Sequence, residues 1–285
     1  MKILVTACRM AVPVVFALAS CLASAAPTGC PGNYARGQAP EILNDAIKVQ
    51  AHELCFSAFG LMHSGISRTA VWSAEHLTRE NIQSARKQRR EDDFHEELTL
   101  PAADRSLLND YRGSGLDRGH LTPSADAPNA VAQRETFSLS NMVPQSAELN
   151  RGLWSGLESA VRNMALQDGE LYVITGPLFL GQHVTKIHNH VMVPTNIFKL
   201  VYDPRSQQAG VYLVQNQPGE QYEVISVAEL EKISGIDFMP GMDANLKHHA
   251  MDLPAPLMHG PNHNERSGPG LFSAKPLSNL LHLFR

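Results

Sequence analysis

A change of hydrophobic rhythm near the middle of this chain constrains its fold more than any other feature. Over residues 148–167, Leu149, Leu153, Trp154, Leu157, Val161 and Met164 recur at three- and four-residue steps, which draws one apolar stripe along a helix. Gly169 follows, where helices often stop. Strand-like runs come next, at residues 171–175, 191–193, 197–202, 211–215 and 222–225, with hairpin-length links. Ser226-Val227-Ala228-Glu229 is a capping-box pattern that opens a short helix closed by Gly235. Upstream, extended runs at 54–62 and 66–72 flank His63-Ser64-Gly65, which predicts a hairpin; residues 78–104 are polar and carry no clear assignment. A one-sided helix must lie on something, and strands stand before and after it. The pattern predicts an α+β fold with a largely antiparallel central sheet.

The two ends read differently. Lys2 and Arg9 precede an apolar stretch over residues 10–19, then Ala23-Ser24-Ala25-Ala26, which together form a signal-peptide pattern over residues 1–25. Leu18-Ala19-Ser20-Cys21 also resembles a lipoprotein box, so a lipid anchor at Cys21 stands as the alternative to cleavage near Ala25 or Ala26. Nothing later reaches the roughly 18–20 apolar residues of a membrane span. Either route makes the protein exported, periplasmic or secreted. Cys8 leaves with the signal, and Cys30 and Cys55 remain as an even pair in an oxidising compartment, where they are expected to bridge. Residues 27–52 read as an irregular N-terminal arm. Residues 251–285, rich in Pro, His, Asn, Gly and Ser, read as a mostly disordered tail that docks loosely at most.

Net charge is formally −4 over 285 residues. That counts against a protein that coats nucleic acid along a broad positive face, but leaves room for an enzyme that grips a few phosphates locally. The basic run Arg86-Lys87, Arg89-Arg90 is such a local feature. No aromatic platform or base-reading motif accompanies it, which suits contact with the backbone rather than with bases.

Asp117-Arg118-Gly119-His120 sets an imidazole that titrates near working pH beside a guanidinium. Gly119 allows a close approach or turn that a Cβ would forbid. By itself one His next to one Arg, in a chain with 13 His, says little. His188-Asn189-His190 lacks a third ligand at recognisable spacing, and Asp104, Asp110 and Ser114 form no convincing hydrolase triad with His120.

Order and spacing add what single residues lack. Arg89-Arg90-Glu91-Asp92-Asp93-Phe94, Asp110-Tyr111-Arg112-Gly113-Ser114-Gly115-Leu116 and Asp117-Arg118-Gly119-His120-Leu121 come first. Thr136-Phe137-Ser138-Leu139-Ser140-Asn141-Met142-Val143-Pro144-Gln145 and Leu149-Asn150-Arg151-Gly152-Leu153-Trp154 follow, with Glu158 eight residues past Asn150. Thr175-Gly176-Pro177-Leu178-Phe179, Val193-Pro194-Thr195 and Phe198-Lys199 complete the set. This ordered set resembles the DNA/RNA non-specific endonuclease family, the ββα-metal (His-Me finger) nucleases that include mitochondrial endonuclease G and secreted bacterial nucleases. The likeness runs over roughly residues 54–240, inside an expected nuclease domain at 53–250.

The resemblance implies a general base at His120, a metal-binding asparagine at Asn150, and an acid at Glu158 that orients water beside the metal. Asn141 falls on the asparagine near the site, and Arg118 and Arg90 on arginines that contact phosphate. It implies Mg²⁺, with Mn²⁺ as the alternative, DNA and RNA as substrates, and products with 5′-phosphates; a homodimer is left open. One neutral carbonyl oxygen at Asn150 suits a hard cation that keeps its waters, and imidazole suits softer metals, which leaves His120 free to act as base. In a regular helix Glu158 sits two turns from Asn150 and about 80° round. Two rivals remain at this stage: an inactive nucleic-acid-binding protein on the same fold, and a phosphodiesterase for another substrate.

Overall fold

The computed structural model describes residues 28–257. The signal-peptide pattern, the Cys21 alternative and residues 258–285 of the expected tail lie outside the described residues.

Seven antiparallel strands form the central sheet, in spatial order Glu223–Ile225, Gln208–Gln215, Asn196–Asp203, Glu170–Leu178, Thr69–Thr78, Phe59–Ser64 and Ala51–Cys55. The α+β expectation therefore holds. The predicted hairpin is present with different borders: a turn after Cys55 splits the first run into two strands, and His63 and Ser64 belong to a strand whose turn comes later. Part of the polar segment at 78–104 is the helix Arg79–Ala85, capped by the Thr78 side chain.

Side-chain alternation divides the sheet between two cores. Leu77, Leu171, Val173, Ile197 and Val201 face the helix Ser155–Asp168 through Leu157 and Val161. Trp72, Ile174, Phe198 and Leu200 face the opposite way, against Tyr34 and Ile42 of the N-terminal arm and Leu230 of the helix Val227–Ser234. That short helix carries the predicted capping box of Ser226 and Glu229 and ends on Gly235 at φ 70°. The central strands thus bury both faces, while the edge strands Ala51–Cys55 and Glu223–Ile225 hold no fully buried residue; roughly 25 cal/mol per Å² of apolar surface stabilises each layer. The Cys30–Cys55 disulfide ties the arm to the edge strand, with Cα atoms 5.6 Å apart.

The chain beyond 250 does not leave the domain at once. Met251 N–H donates to the Ala209 carbonyl at 2.7 Å, the Tyr212 hydroxyl donates to Pro254 O at 2.5 Å, and Leu257 N–H reaches Gly156 O at 3.0 Å. The expected tail border therefore moves: residues 251–257 are a strap packed across a strand and the main helix. A Cβ at Gly156 would come within 3.2 Å of the strap, so a side chain there would press on Pro256 and Leu257.

A small ribbon stands beside this body. Asp117–His120 pairs antiparallel with Met142–Gln145, with His120 opposite Met142. The chain then runs through a helical turn, Ala147–Leu149, into a π-turn, Asn150–Trp154, and on into the helix Ser155–Asp168. Ribbon and helix together make the ββα unit. The ribbon closes tightly: a Cβ on Gly119 would fall 2.0 Å from Gln145 Oε1.

Candidate active site

One cavity of about 550 Å³ opens where the ribbon meets the helix, and Arg90, Arg118, His120, Asn150, Glu158 and Arg162 line it. Five of the residues singled out from sequence thus meet in one place, although up to 68 positions separate them along the chain. The sixth, Asn141, does not. Its side chain is fully buried, its Nδ2 donates to Thr122 O and Thr136 O at 2.9 Å each, and its Oδ1 accepts from Thr122 N–H at 3.0 Å. Both N–H donors and the carbonyl oxygen of that amide are bound to backbone. Asn141 is a staple that holds the chain just after His120, not a group within reach of substrate.

His120 ends its ribbon strand with its ring edge-on to Phe137, centroids 4.9 Å apart, and 5.9 Å from Phe94. Its Nε2 is buried and has no hydrogen-bond partner among the described residues. Burial first, and the Arg90 charge second, push its pKa down to about 3, against a small opposing pull from Asp92. The imidazole is therefore neutral, the form that accepts a proton.

Asn150 is oriented by a residue that motif reading passed over. Its Nδ2 donates to Asp117 Oδ2 at 2.9 Å, and Arg151 grips both oxygens of the same carboxylate at 2.9 and 2.7 Å. Burial raises the Asp117 pKa, but the hydrogen bonds from Arg151 and Asn150 and the nearby positive charge outweigh it, so the carboxyl is held below its usual range. With the amide nitrogen committed, the Asn150 carbonyl oxygen is the end left to take a cation. The one sequence signal for this was Asp117 opening the Asp-Arg-Gly-His motif.

Glu158 shares the cavity with Asn150, and the helix between them is not regular: it is kinked at Gly152, where φ is −106° and ψ −106°, so the offset of about 80° in an ideal helix does not apply. Burial raises the Glu158 pKa, while Lys199 and Arg162 pull it back. Neutral amide oxygen and carboxylate are hard donors, and they fit Mg²⁺ or Mn²⁺ better than a soft or imidazole-preferring metal.

Beneath the cavity lies a buried polar layer that sequence patterns did not reveal as a unit. Ser73, Thr175 and Lys199 stand side by side across three strands. Lys199 Nζ donates to Thr175 Oγ1 at 2.7 Å and lies 5.2 Å from the Trp154 ring centre. Glu75, on the same face and 3% exposed, has its pKa raised by burial and by Asp126, with Lys199 opposing. Arg162 joins Asp126 at 2.9 Å.

The two arginines expected to meet phosphate differ in setting. Arg118 lies over the Phe94 ring at 4.1 Å, and Arg90 makes an exposed pair with Asp92 at 2.6 Å. Such a pair holds weakly, so it leaves Arg90 free to turn to an anion. His188 and His190 form no ligand pair: residues 188–190 are a hairpin turn, and His190 Nδ1 is bound to Asp110 at 2.7 Å.

Comparison with known proteins agrees with this geometry. Residues 39–245 match the DNA/RNA non-specific endonuclease family. The chain is 34% identical to nuclease C1 of Cunninghamella echinulata over 62% of its length and 79% of the relative's. It is 32% identical to bovine mitochondrial endonuclease G over 77% and 80%, and 32% identical to a nuclease of a Nostoc strain over 66% and 73%. A solved structure of EndoG in complex with EndoGI superposes with a TM-score of 0.62 at 27% identity, covering 68% of this chain and 88% of that one. Fold and site define a phosphodiester hydrolase of the metal-dependent kind. The chain belongs to the DNA/RNA non-specific endonuclease family.

Proposed function

We infer that this protein is an exported endonuclease that hydrolyses DNA and RNA with little regard to sequence, uses one Mg²⁺ (or Mn²⁺) held at Asn150, and leaves 5′-phosphate ends. The carrying observation is the neutral imidazole of His120 set in one cavity with the oriented amide of Asn150. Export is read from the first 25 residues and is in keeping with the Cys30–Cys55 bridge.

Arg118 and Arg90 neutralise the scissile phosphate and hold it in line. His120 takes the proton of the attacking water, a step that general-base catalysis speeds by roughly 10²–10⁴. Glu158 orients that water, and Asp117 keeps the Asn150 oxygen turned toward the cavity. The cation, when bound, supplies Lewis-acid stabilisation of charge on the phosphate and the leaving 3′-oxygen. Recognition rests on the two arginines, which suit the phosphate backbone shared by all sequences.

The test is incubation of purified mature protein with supercoiled plasmid and with RNA, with and without chelator, followed by end analysis. Cleavage of both, lost on chelation and restored by Mg²⁺ or Mn²⁺, with 5′-phosphates on the products, is expected. Full activity after exhaustive chelation, or 3′-phosphate ends, overturns the reading.

A further inference from the structure

A second cavity, of about 720 Å³, adjoins the first and shares Asp92, Phe94, Tyr111 and Arg118 with it. Phe94, with the Arg118 guanidinium laid on its ring, is the sill between the two. Leu108, Asn109 and Arg112, from the short helix Leu108–Tyr111 and the residue after it, form its outer wall.

Its charge is not what a residue count suggests. Of the acidic groups around it, Asp92 pairs with Arg90 at 2.6 Å and Asp93 with Arg134 at 2.7 Å, while Glu96 accepts from Leu108 N–H at 3.3 Å and keeps its charge. Neither Arg112 nor Arg118 makes an ion pair among the described residues; Arg118 lies on the face of Phe94, with Asp117 near enough to feel its charge. Two guanidinium groups with no ion pair among the described residues thus border a groove in which Asp92 and Asp93 are each paired with an arginine. Leu108, 40% exposed, offers apolar surface beside them, and Asn109 an exposed amide. Cationic groups next to an apolar shelf and a free amide match one nucleotide unit: phosphate, then sugar and base.

We propose that this second cavity is a subsite for the nucleotide adjoining the cleaved bond on the same strand, with Arg112 taking its phosphate and Leu108 and Phe94 its sugar and base. The proposal rests on the reading of the first cavity as the place of phosphodiester cleavage, since the shared sill makes the two consecutive along a strand. Arg118 then touches both units. A substrate too short to fill the second cavity is bound by the first alone, so the enzyme favours oligonucleotides over minimal diesters.

The experiment compares wild type, Arg112→Ala, Arg112→Lys and, as a control, Arg205→Ala. Arg205 pairs with Asp168 at the far end of the helix from the cavity. Two substrates are used, a 12-residue single-stranded oligonucleotide and bis(p-nitrophenyl) phosphate, with oligonucleotide binding measured separately in chelator. For Arg112→Ala, KM and Kd for the oligonucleotide should rise about tenfold, the size of one lost charge-assisted contact. Hydrolysis of the small diester should be unchanged, Arg112→Lys should recover part of the loss, and Arg205→Ala should behave as wild type. Equal losses on both substrates, or an oligonucleotide Kd that ignores Arg112, would overturn the subsite. A wild type that binds the oligonucleotide through Arg112 yet cuts neither substrate keeps the subsite and defeats the nuclease reading instead.

Discussion

The Asn150 amide nitrogen sits 2.9 Å from an Asp117 oxygen, so a carboxylate 33 positions earlier decides which end of that amide faces the cavity. Hydrogen bonding to a neutral ligand's far side is how proteins orient groups that bind metals, and loss of such partners typically costs 10–100-fold in metal affinity. Asp117 also pairs with Arg151, which lines the same cavity.

Asp117→Ala should therefore raise the Mg²⁺ concentration needed for half-maximal activity by about 10–100-fold. Saturating metal should restore much of the rate, and titration calorimetry should show the weaker affinity directly. An unchanged metal requirement would mean that Asn150 is oriented by something else. Asn150→Ala should not be rescued in this way.

His120→Ala should lower kcat by roughly 10²–10⁴ while oligonucleotide affinity and melting temperature change little. The pH profile carries a second test. In the free enzyme burial and Arg90 hold His120 at about 3, so the acid limb of kcat/KM falls well below the ordinary histidine range near 6.5. Bound phosphate offsets the Arg90 charge, and the acid limb of kcat should therefore lie at higher pH than that of kcat/KM. The sign for stability follows from the same shift. A histidine whose pKa falls on folding contributes stability that is complete above about 6.5 and is lost as pH drops toward 3. Coincident acid limbs near 6.5 would show that the imidazole is not desolvated.

The buried layer under the cavity predicts a paired effect. Lys199→Met removes the positive charge that most offsets burial at Glu75 and should lower stability in denaturant melts. Adding Glu75→Gln should recover much of that loss. Additive losses from the two changes would show that the groups do not interact.

The run at 86–90 ends in Arg90 at the cavity, with Lys87 and Arg89 on exposed backbone before it. Affinity for duplex DNA should fall steeply between 50 and 200 mM salt, conditions over which phosphate-dominated binding weakens strongly. Lys87→Ala with Arg89→Ala should flatten that dependence without creating any sequence preference in mapped cut sites. A salt-insensitive consensus would refute backbone recognition.

Some of this protein was legible along the chain because the physics involved is local. The stripe from Leu149 to Met164 announces a helix, the Ser226/Glu229 box and Gly235 mark both ends of another, and ordered motifs point to His120, Asn150 and Glu158. Other features depend on neighbours far away in sequence. Only the packed ribbon turns Asn141 into a staple and Asp117 into the orienting partner of Asn150. The kink at Gly152 between Asn150 and Glu158 was not legible either, since a helical pattern in sequence does not say where the helix will break its regularity. The strap at 251–257 has no periodic signal because its hydrogen bonds go to Ala209, Tyr212 and Gly156 rather than to itself. Lys199 and Glu75 read as ordinary charged residues until the sheet places them on its covered face. Propensity, capping and motif order are written residue by residue, whereas burial and the facing of one side chain by another arise when distant segments pack.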